Sequence, residues 1–513
     1  MVNLLDQTID RKHRRTALVK VLVLVALCTT AGSSSAAAVT FPASPVAGTS
    51  FDPVAVDRFI TAQMARHRIP GIALAITQGT QVVHVRGYGT AHDGEPVTGQ
   101  TPFRIASLSK AFTAMAVLRL VEGGRISLDA PIKQYLPSFE LSTPSASAQI
   151  TVRQLLNHTS GLADTGFVNG LPGQETTLAG RITSLRTARA VDAAGAAFHY
   201  FDPNYQALAR LVEAASGEPF DTYLQRHVFA PLAMHDSFST LTATLPIQRA
   251  DLLAQGHIIA YGMPIALSEL SGFLGGSGGV VSTASDMAHH LSAQNSHGQH
   301  AGRAVLSDAG ISIMQTPPAD EAGAYAMGWT ASQVQGVKTI EHNGVLSTFY
   351  AEAVLLPENG YGFVLLYNAY ALSAATLTFP EIKSGMISLL TGTAPVYGKV
   401  TLPWFGRGAA ALSLLIAGAA VWSLLRLRQW KVRASHMARW RLALSVLWPL
   451  LPALVLLGLP RLLALQSGRY FDHVMLARAI PELIILLGVC AVLGVTNSVL
   501  RAISVYANGQ TTP

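Results

Sequence analysis

The chain has 513 residues, of which 50% are hydrophobic and 13% are charged, and its formal net charge is +7 at pH 7. The positive excess belongs to the ends: residues 39–400 carry 20 basic and 25 acidic residues, whereas residues 401–513 carry 11 basic and 2 acidic residues. This mildly acidic centre argues against a nucleic-acid-binding face, so no nucleic-acid partner is expected. Cys28 and Cys490 both lie in apolar end segments, which excludes a disulfide or a thiolate metal site in the centre.

The first 38 residues have the pattern of a secretory signal. Four basic residues between positions 11 and 15 precede an apolar run from Val21 to Leu27, and three alanines at 36–38 offer a cleavage site. An uncleaved signal anchor is the alternative. In both cases the domain that follows, residues 39–400, is predicted to be exported.

The exported part shows strand patterns at both ends and helical patterns between them, which predicts an α+β domain whose sheet pairs its two ends. The predicted elements are a helix over Asp52–Arg68, two strands within Gly71–Gly89 around a Gln78-Gly79 turn, strands over Val337–Ile340, Tyr350–Leu356 and Gly362–Tyr367, and a closing helix over Glu381–Leu390.

The stretch "RIASLSKAFTAMAVLRLVEGG", residues 104–124, places a serine three positions before a lysine at the head of an apolar-periodic helix. Residues i and i+3 share one helix face, so Lys110 can reach the hydroxyl of Ser107. A serine hydroxyl becomes a good nucleophile when a neighbouring base takes its proton, and a neutral lysine is such a base. A capping serine beside a solvated lysine is the structural alternative.

Two further motifs offer a different nucleophile and a metal site. "GGSGG", residues 275–279, fits the G-x-S-x-G pattern of a nucleophile elbow, but the strand-like Val280-Val281 follows where a helix is needed, so we place Ser277 in a glycine-rich turn. A histidine cluster (His289, His290, His297 and His300) lacks the spacing of metal ligands and is interpreted as a solvated helix end, so no metal is expected.

Residues 401–513 are predicted to form a membrane domain. Apolar segments at Gly408–Leu425, Leu442–Pro460 and Ala479–Leu500 are each long enough to cross a bilayer as a helix. The loop between the first two contains six basic and no acidic residues, so it should stay in the cytoplasm. The segment before Gly408 is then outside, in agreement with the export signal.

Four ordered stretches resemble the serine β-lactamase and penicillin-binding-protein family, most closely its class C-like and esterase-like branch, over residues 50–395. They are "FRIASLSKAFTAMAVLRLVEGGRISLDAPIKQYLP", "ITVRQLLNHTSGL", "FHYFDPNYQALARLVE" and "IEHNGVLSTFYAEAVLLPENGYGFVLLYN". The resemblance implies a β-lactamase/transpeptidase-like α+β fold, with an antiparallel sheet flanked by helices and a helical region, here followed by three transmembrane helices.

By this resemblance Ser107 is the acylated nucleophile, Lys110 accepts its proton, and Tyr200 relays a proton to the leaving group, while the base of each separate step stays open. The strand motif is His342-Asn343-Gly344, and the backbone N–H groups of Ser107 and Val345 form the oxyanion hole. His158 in "NHTSGL" is interpreted as structural. No cofactor is implied.

Two positions depart from the family pattern. Asp202 stands where Tyr-x-Asn has its asparagine, and because an ionised carboxylate only accepts hydrogen bonds, it should prefer Lys110 or a substrate N–H as partner. His342 replaces the lysine that grips a substrate carboxylate, and a neutral imidazole is a weak clamp. Both changes argue against a β-lactamase or a peptidoglycan carboxypeptidase.

The whole architecture resembles membrane-anchored prodrug-activating peptidases of the colibactin-maturation type. The resemblance implies a multi-pass protein of the inner membrane with a periplasmic catalytic domain, which removes an N-acylated D-asparagine cap from a nonribosomal peptide in antibiotic biosynthesis. Asp202 and Asn343 would bind the side-chain carboxamide. A homodimer through the membrane helices is a further expectation. A generic esterase or D-aminopeptidase, a penicillin-binding protein and a non-turnover β-lactam sensor are the alternatives.

Overall fold

The computed structural model describes residues 51–167, 176–244, 252–318 and 324–509, and the predicted signal at 1–38 lies outside them. The strands in these residues are β1 Gly71–Gln78, β2 Gln81–Gly89, β3 Phe103–Arg104, β4 Phe238–Ser239, β5 His257–Ala260, β6 Met263–Ala266, β7 Val280–Ser282, β8 Gln299–His300, β9 Arg303–Ala304, β10 Tyr325–Ala326, β11 Trp329–Val334, β12 Val337–Val345, β13 Tyr350–Leu356, β14 Tyr361–Tyr367 and β15 Ala369–Tyr370.

The helices in the described residues are α1 Pro53–His67, α2 Ser109–Glu122, α3 Pro144–Ser147, α4 Val152–Leu156, α5 Leu178–Ser184, α6 Asp202–Ser216, α7 Phe220–Leu224, α8 Ala284–Asn295, α9 Asp308–Gln315, α10 Leu372–Leu377, α11 Phe379–Leu390, α12 Leu402–Leu425, α13 Leu427–Ala434, α14 Arg439–Leu447, α15 Leu451–Ser467, α16 His473–Ala479 and α17 Pro481–Gly509.

A seven-stranded antiparallel sheet in the order β10-β11-β12-β13-β14-β1-β2 organises the part of the chain before the long apolar helices, which is expected to be catalytic and is called the catalytic part below. Strand β1 pairs with β14 on one side, with Ala75 opposite Val364, and with β2 on the other. The expected pairing of the two ends of the domain is therefore confirmed, and so is the α+β class.

Both faces of this sheet are covered, which explains the unbroken apolar run of β1. Ala73 and Ala75 belong to an apolar cluster that continues into the helical region. Ile72 and Leu74 belong to a second cluster, on the face covered by α1 and α11. Successive side chains of a strand point to opposite faces, so a strand buried on both sides is apolar at every position.

Local chemistry sets the ends of the first helix. The side chain of Asp52 accepts hydrogen bonds from Val54 N (2.9 Å) and Ala55 N (3.2 Å), Pro53 occupies the first turn, and Arg68 closes the helix in a left-handed conformation. The predicted hairpin and closing helix are also present. Strand β12, however, continues to Val345 rather than ending at Ile340, and so carries the whole His342 motif.

Three long apolar helices follow the catalytic part: Leu402–Leu425, Arg439–Ser467 and Pro481–Tyr506. Each is long and apolar enough to cross a membrane, and each extends beyond the predicted segment at one end or both, although the third begins at Pro481 rather than Ala479. The first begins beside the start of the catalytic part, because Leu402 N donates a hydrogen bond to His67 Nδ1 (3.4 Å).

Candidate active site

The predicted nucleophile, Ser107, lies in a tight turn immediately before α2. Ser107 is the middle residue of a 3₁₀ turn, Ala106–Leu108, and Ala106 before it has a φ of 48°, which is uncommon for a residue with a side chain. Ser109 braces the turn: its hydroxyl donates to Ala106 O (2.6 Å) and accepts from Val280 N (2.9 Å). The strained turn is therefore fixed against β7, with Ser107 lining a cavity of about 90 Å³.

Lys110 is fully buried and donates in three directions. Its Nζ lies 3.0 Å from Ser107 Oγ, 2.7 Å from Asp202 Oδ1 and 2.8 Å from the carbonyl oxygen of Ser277. Burial, the largest single influence, would lower the pKa of Lys110, but Asp202 and Tyr200 together outweigh it and the pKa is raised. The amine predicted to activate Ser107 therefore rests as an ammonium ion.

Asp202 is the first residue of α6 and is shared between two cations. Its Oδ1 accepts from Lys110, and its Oδ2 accepts from Nη2 of Arg469 at 3.1 Å. Burial would raise the pKa of this carboxyl, but Lys110 and Arg469 together hold it well below its usual range. Of the two partners expected for Asp202, the structure shows Lys110, and it adds Arg469.

Tyr200 packs among the charged groups of the site. Its ring centroid lies 4.7 Å from Lys110 Nζ and 4.9 Å from Arg469 Cζ, and the ring of His158 lies 4.4 Å away on a third side. Cations within about 6 Å of an aromatic ring are attracted to its face. The three sequence-predicted catalytic residues Ser107, Lys110 and Tyr200 are therefore brought together.

His158 packs against the Tyr200 ring and the backbone that follows it. It is fully buried, and its Nδ1 accepts hydrogen bonds from Phe201 N and Asn204 Nδ2, both at 3.2 Å. Burial and the charge of Lys110 lower the pKa of His158 well below its ordinary value, so the ring is neutral. It contacts the Tyr200 ring and the backbone next to it, which fits the structural role expected of it.

Strand β12 closes the opposite wall of the site. A Cβ on Gly344 would lie 2.2 Å from Ile105 O and 3.0 Å from Ser107 N, so only glycine allows the strand to approach the nucleophile turn this closely. The next residue, Val345, lines the same cavity as Ser107. The two backbone N–H groups assigned to the oxyanion hole therefore belong to neighbouring walls.

His342 faces the aromatic side chains of the site. Its ring lies 6.3 Å from that of Tyr200 and 5.6 Å from that of Tyr325, and burial lowers its pKa to about 3. Asn343, the next residue, is exposed, and its Nδ2 lies 3.5 Å from the Tyr350 hydroxyl. The role of Asn343 in substrate binding stays a prediction.

The glycine-rich turn at 275–279 belongs to the site through its backbone. It is a turn followed by strand β7, as predicted, and not the strand-turn-helix of a nucleophile elbow. The carbonyl oxygen of Ser277 accepts a hydrogen bond from Lys110, a role that no side-chain motif could have indicated.

The histidine cluster differs from its prediction. His290 is not solvated: it is buried on the inner face of α8, with its ring 4.4 Å from Phe112 and stacked at 5.9 Å on Trp329. Helix α8 packs against the sheet, so this side of it is core despite its polar residue. No group of three or more potential metal ligands occurs within the ranges that the structure describes.

Arg469 contacts Asp202 in the site, although none of the motifs indicated it. It lies between α15 and α17, 267 positions after Asp202. One signal could have found it: the predicted topology puts this short loop outside, where basic residues are disfavoured. An arginine in such a loop is therefore expected to pair with an acidic residue.

The chain is similar in sequence and in fold to known proteins. The Beta-lactamase family matches residues 56–381. Protein flp of Staphylococcus aureus strain N315 is 24% identical over 318 residues, 61% of this chain and 62% of its own length, so the chain spans less than two thirds of that relative. Penicillin-binding protein 4 of Amycolatopsis lactamdurans is 27% identical over 349 residues, 64% of this chain and 87% of its own length.

Among solved structures, the D-amino acid amidase of Ochrobactrum anthropi SV3 superimposes with a TM-score of 0.55 at 24% identity, covering 66% of this chain and 99% of that one. This likeness shows the fold. The family match spans more than half of the chain and includes Ser107, Lys110, Tyr200 and the His342 motif. The chain therefore belongs to the Beta-lactamase family, a family of serine acyl-transferases and hydrolases, and has the fold of that family.

Proposed function

We propose that the chain is a membrane-anchored, extracytoplasmic peptidase that cleaves the amide after an N-acylated D-asparagine-like residue of a nonribosomal-peptide prodrug. The observation that carries the proposal is the neutral His342 facing Tyr200, with the carboxylate of Asp202 beside the nucleophile. The family's lysine clamp for a free carboxylate is missing from β12, and an acceptor for amide N–H groups stands in the cavity.

The proposed reaction proceeds in two steps through an acyl-enzyme. In the fraction of molecules with a neutral Lys110 amine, Nζ takes the Ser107 proton while Oγ bonds to the substrate carbonyl carbon. The carbonyl oxygen becomes an oxyanion between the N–H groups of Ser107 and Val345. The C–N bond then breaks as Tyr200 relays the proton to the departing amine. Water next attacks the ester carbonyl carbon and gives a proton to the same relay. The C–Oγ bond breaks as the relay returns that proton to Ser107 Oγ, which releases the acid and restores the free hydroxyl.

Asp202 is the residue best suited to choose the substrate. A carboxylate has about four acceptor positions, and Lys110 and Arg469 each occupy one, on different oxygens. Its side chain is 36% exposed, so it can still accept from the N–H of a small carboxamide. The cavity of about 90 Å³ accommodates a small side chain at this point. A substrate carboxylate would be repelled.

The contacts of the apolar helices support an orientation with the catalytic part outside. The segment between α15 and α17 contacts the catalytic part through Arg469 and Asp202. The basic loop between α12 and α14 instead contacts the far end of α17, where the ring of Trp430 lies 5.0 Å from the guanidinium of Arg501. Three helices that alternate in direction would place these two loops on opposite sides of a bilayer.

The test is a comparison of peptide substrates with the full-length protein in detergent. We expect an N-acyl-D-asparaginyl amide to be hydrolysed with a kcat/KM at least about tenfold above that of its D-aspartyl and L-asparaginyl analogues. The reason is that the D-aspartyl carboxylate cannot donate to Asp202. Ser107→Ala should abolish both hydrolysis and labelling by a fluorophosphonate, whereas Ser277→Ala should retain labelling.

Three results would contradict the proposal. Faster release of D-alanine from a peptide with a free carboxylate would identify a carboxypeptidase. Rapid labelling by penicillin without turnover of any amide or ester would identify a sensor. Hydrolysis of nitrophenyl esters alone would identify an esterase.

A further inference from the structure

The segment between the second and third apolar helices, residues 468–480, lies against the catalytic site. We call it the 468–480 loop. Arg469 Nε lies 3.0 Å from Asp164 Oδ2, its Nη2 donates to Asp202, and its Nη1 donates to Tyr200 O at 3.4 Å. The adjacent Tyr470 N donates to Asp164 Oδ2 at 3.1 Å. The membrane part of the chain thus supplies a cation next to the reacting groups.

The same loop also holds the other wall of the site. Arg478 donates to the carbonyl oxygen of Ser268 and to the Ser347 hydroxyl, the latter at 3.1 Å. Glu269 fixes the same segment from within, since its carboxylate accepts from the backbone N–H groups of Ser347 and Thr348, both at 3.0 Å. Arg478 therefore has only uncharged partners here, whereas Arg469 has two carboxylates.

The charges around Lys110 alternate in sign. Asp202 stands between the ammonium of Lys110 and the guanidinium of Arg469, and Asp164 stands on the far side of Arg469. A carboxylate that also faces a second cation attracts the proton of an ammonium less strongly than one that faces the ammonium alone. Arg469 is 31% exposed and the surrounding groups are largely buried, so this interaction is only partly screened by water.

We propose that Arg469 is a positioning residue for catalysis, which orients Asp202 and offsets its charge so that Lys110 can release the proton it must exchange with Ser107. Arg469 acts through Asp202 and does not need to touch the substrate. The proposal rests on acyl transfer at Ser107, part of the proposed function, and not on the identity of the substrate.

Several other titratable or charged groups face this cluster. They are His158, Tyr200, Tyr205, Tyr325 and His342, together with Arg181, which lies near Asp164. Burial lowers the pKa of both histidines, and it raises the pKa of Tyr205 and Tyr325. Reactivity of Ser107 should therefore rise with pH as Lys110 loses its proton.

The experiment measures the rate constant of fluorophosphonate labelling of Ser107 between pH 7 and 12, with the full-length protein in detergent, because the pKa of Lys110 lies above its usual value and the range must include both the rising limb of the pH–rate profile and its plateau. In a plot of the labelling rate constant against pH, Arg469→Gln should move the rising limb to higher pH. A displacement of about one pH unit corresponds to about tenfold slower labelling at a fixed pH on that limb. Arg469→Lys keeps the charge and should retain the position of the limb. Arg478→Gln is the matched control, because it loosens the same loop without removing a carboxylate's partner.

Labelling that slows equally at every pH in Arg469→Gln, with the limb unmoved, would show a merely structural role and overturn the proposal. A limb that moves equally in Arg478→Gln would do the same.

Arg469→Gln leaves Asp202 with one cation fewer, so that variant could fail to fold. The double variant Asp202→Asn/Arg469→Gln removes both charges and tests the same point. The rising limb of its pH–rate profile should coincide with that of Asp202→Asn alone, since Arg469 influences Lys110 only through Asp202. A further alkaline displacement in the double variant would refute the coupling. The substrate plays no part in labelling, so the outcome is independent of the D-asparagine assignment.

Discussion

Replacing Gly344 by alanine tests how closely the oxyanion strand must approach the nucleophile. The new Cβ would lie 2.2 Å from Ile105 O and 3.0 Å from both Ala106 Cβ and Ser107 N, whereas ordinary contact begins at 3.4 Å. Strand β12 or the Ala106–Leu108 turn must therefore move by about 1 Å, and a misplacement of that size costs about 100-fold in rate. Because the movement also withdraws the Val345 N–H from the oxyanion, we expect kcat/KM to fall by about 10²–10³.

The assay is hydrolysis of a nitrophenyl ester together with fluorophosphonate labelling, at matched protein concentration and with the melting temperature measured in parallel. Gly272→Ala is the control, since a Cβ there meets nothing within 4 Å. Labelling and hydrolysis by Gly344→Ala within about threefold of the original chain would refute the reasoning, because about 1 Å of displacement should cost far more than that.

Three further predictions concern charge and topology. Asp202→Asn removes the carboxylate that raises the pKa of Lys110, so the labelling profile should move to lower pH; an alkaline displacement would contradict this. Burial lowers the pKa of His290 to about 3, so the unfolded state binds more protons and stability falls as the pH decreases from about 6.5 towards 3. His290→Phe should therefore lose less of its melting temperature between pH 7 and 5 than the original chain; an equal loss would mean that other groups cause the decline. A reporter fused after residue 400 should read the exported side and one inserted near Arg433 the cytoplasm, and the reverse pattern would overturn the proposed orientation.

The proximity of Ser107, Lys110 and Tyr200 could be predicted from the sequence because these residues are either close together in the chain or carried by ordered motifs. Ser107 and Lys110 are three positions apart, and one turn of chain brings them within 3.0 Å. Tyr200 and His342 come from distant elements, but each lies in a motif whose order along the chain matches a known family. Charge alone offers two partners for Asp202, Lys110 and a substrate N–H, and the structure shows the contact with Lys110.

What could not be predicted depends on packing between distant parts of the chain. The predicted strand ends at Ile340, but pairing with β13 continues through His342 to Val345, since backbone hydrogen bonds do not depend on the side chains. His290 was interpreted as solvated because histidine is polar, yet the helix that carries it is covered on that side by Phe112 and Trp329. The contact between Arg469 and Asp202 depends on how the segment between the second and third apolar helices packs against the site, which no local pattern in the sequence shows.

The pairing of β1 with β14 also dictates when the domain can form during its synthesis. Ala75 lies opposite Val364, so roughly 290 residues separate the two partners, and at 5–20 residues per second a ribosome needs about 15–60 s to make them. Over that interval the apolar β1 has its final neighbour on one side only, β2. A nascent chain in this state exposes a long hydrophobic strand edge, which is a site for aggregation or for a chaperone. Variants that stall translation between β1 and β14 should therefore reduce the yield of active protein even when the sequence of the product is unchanged.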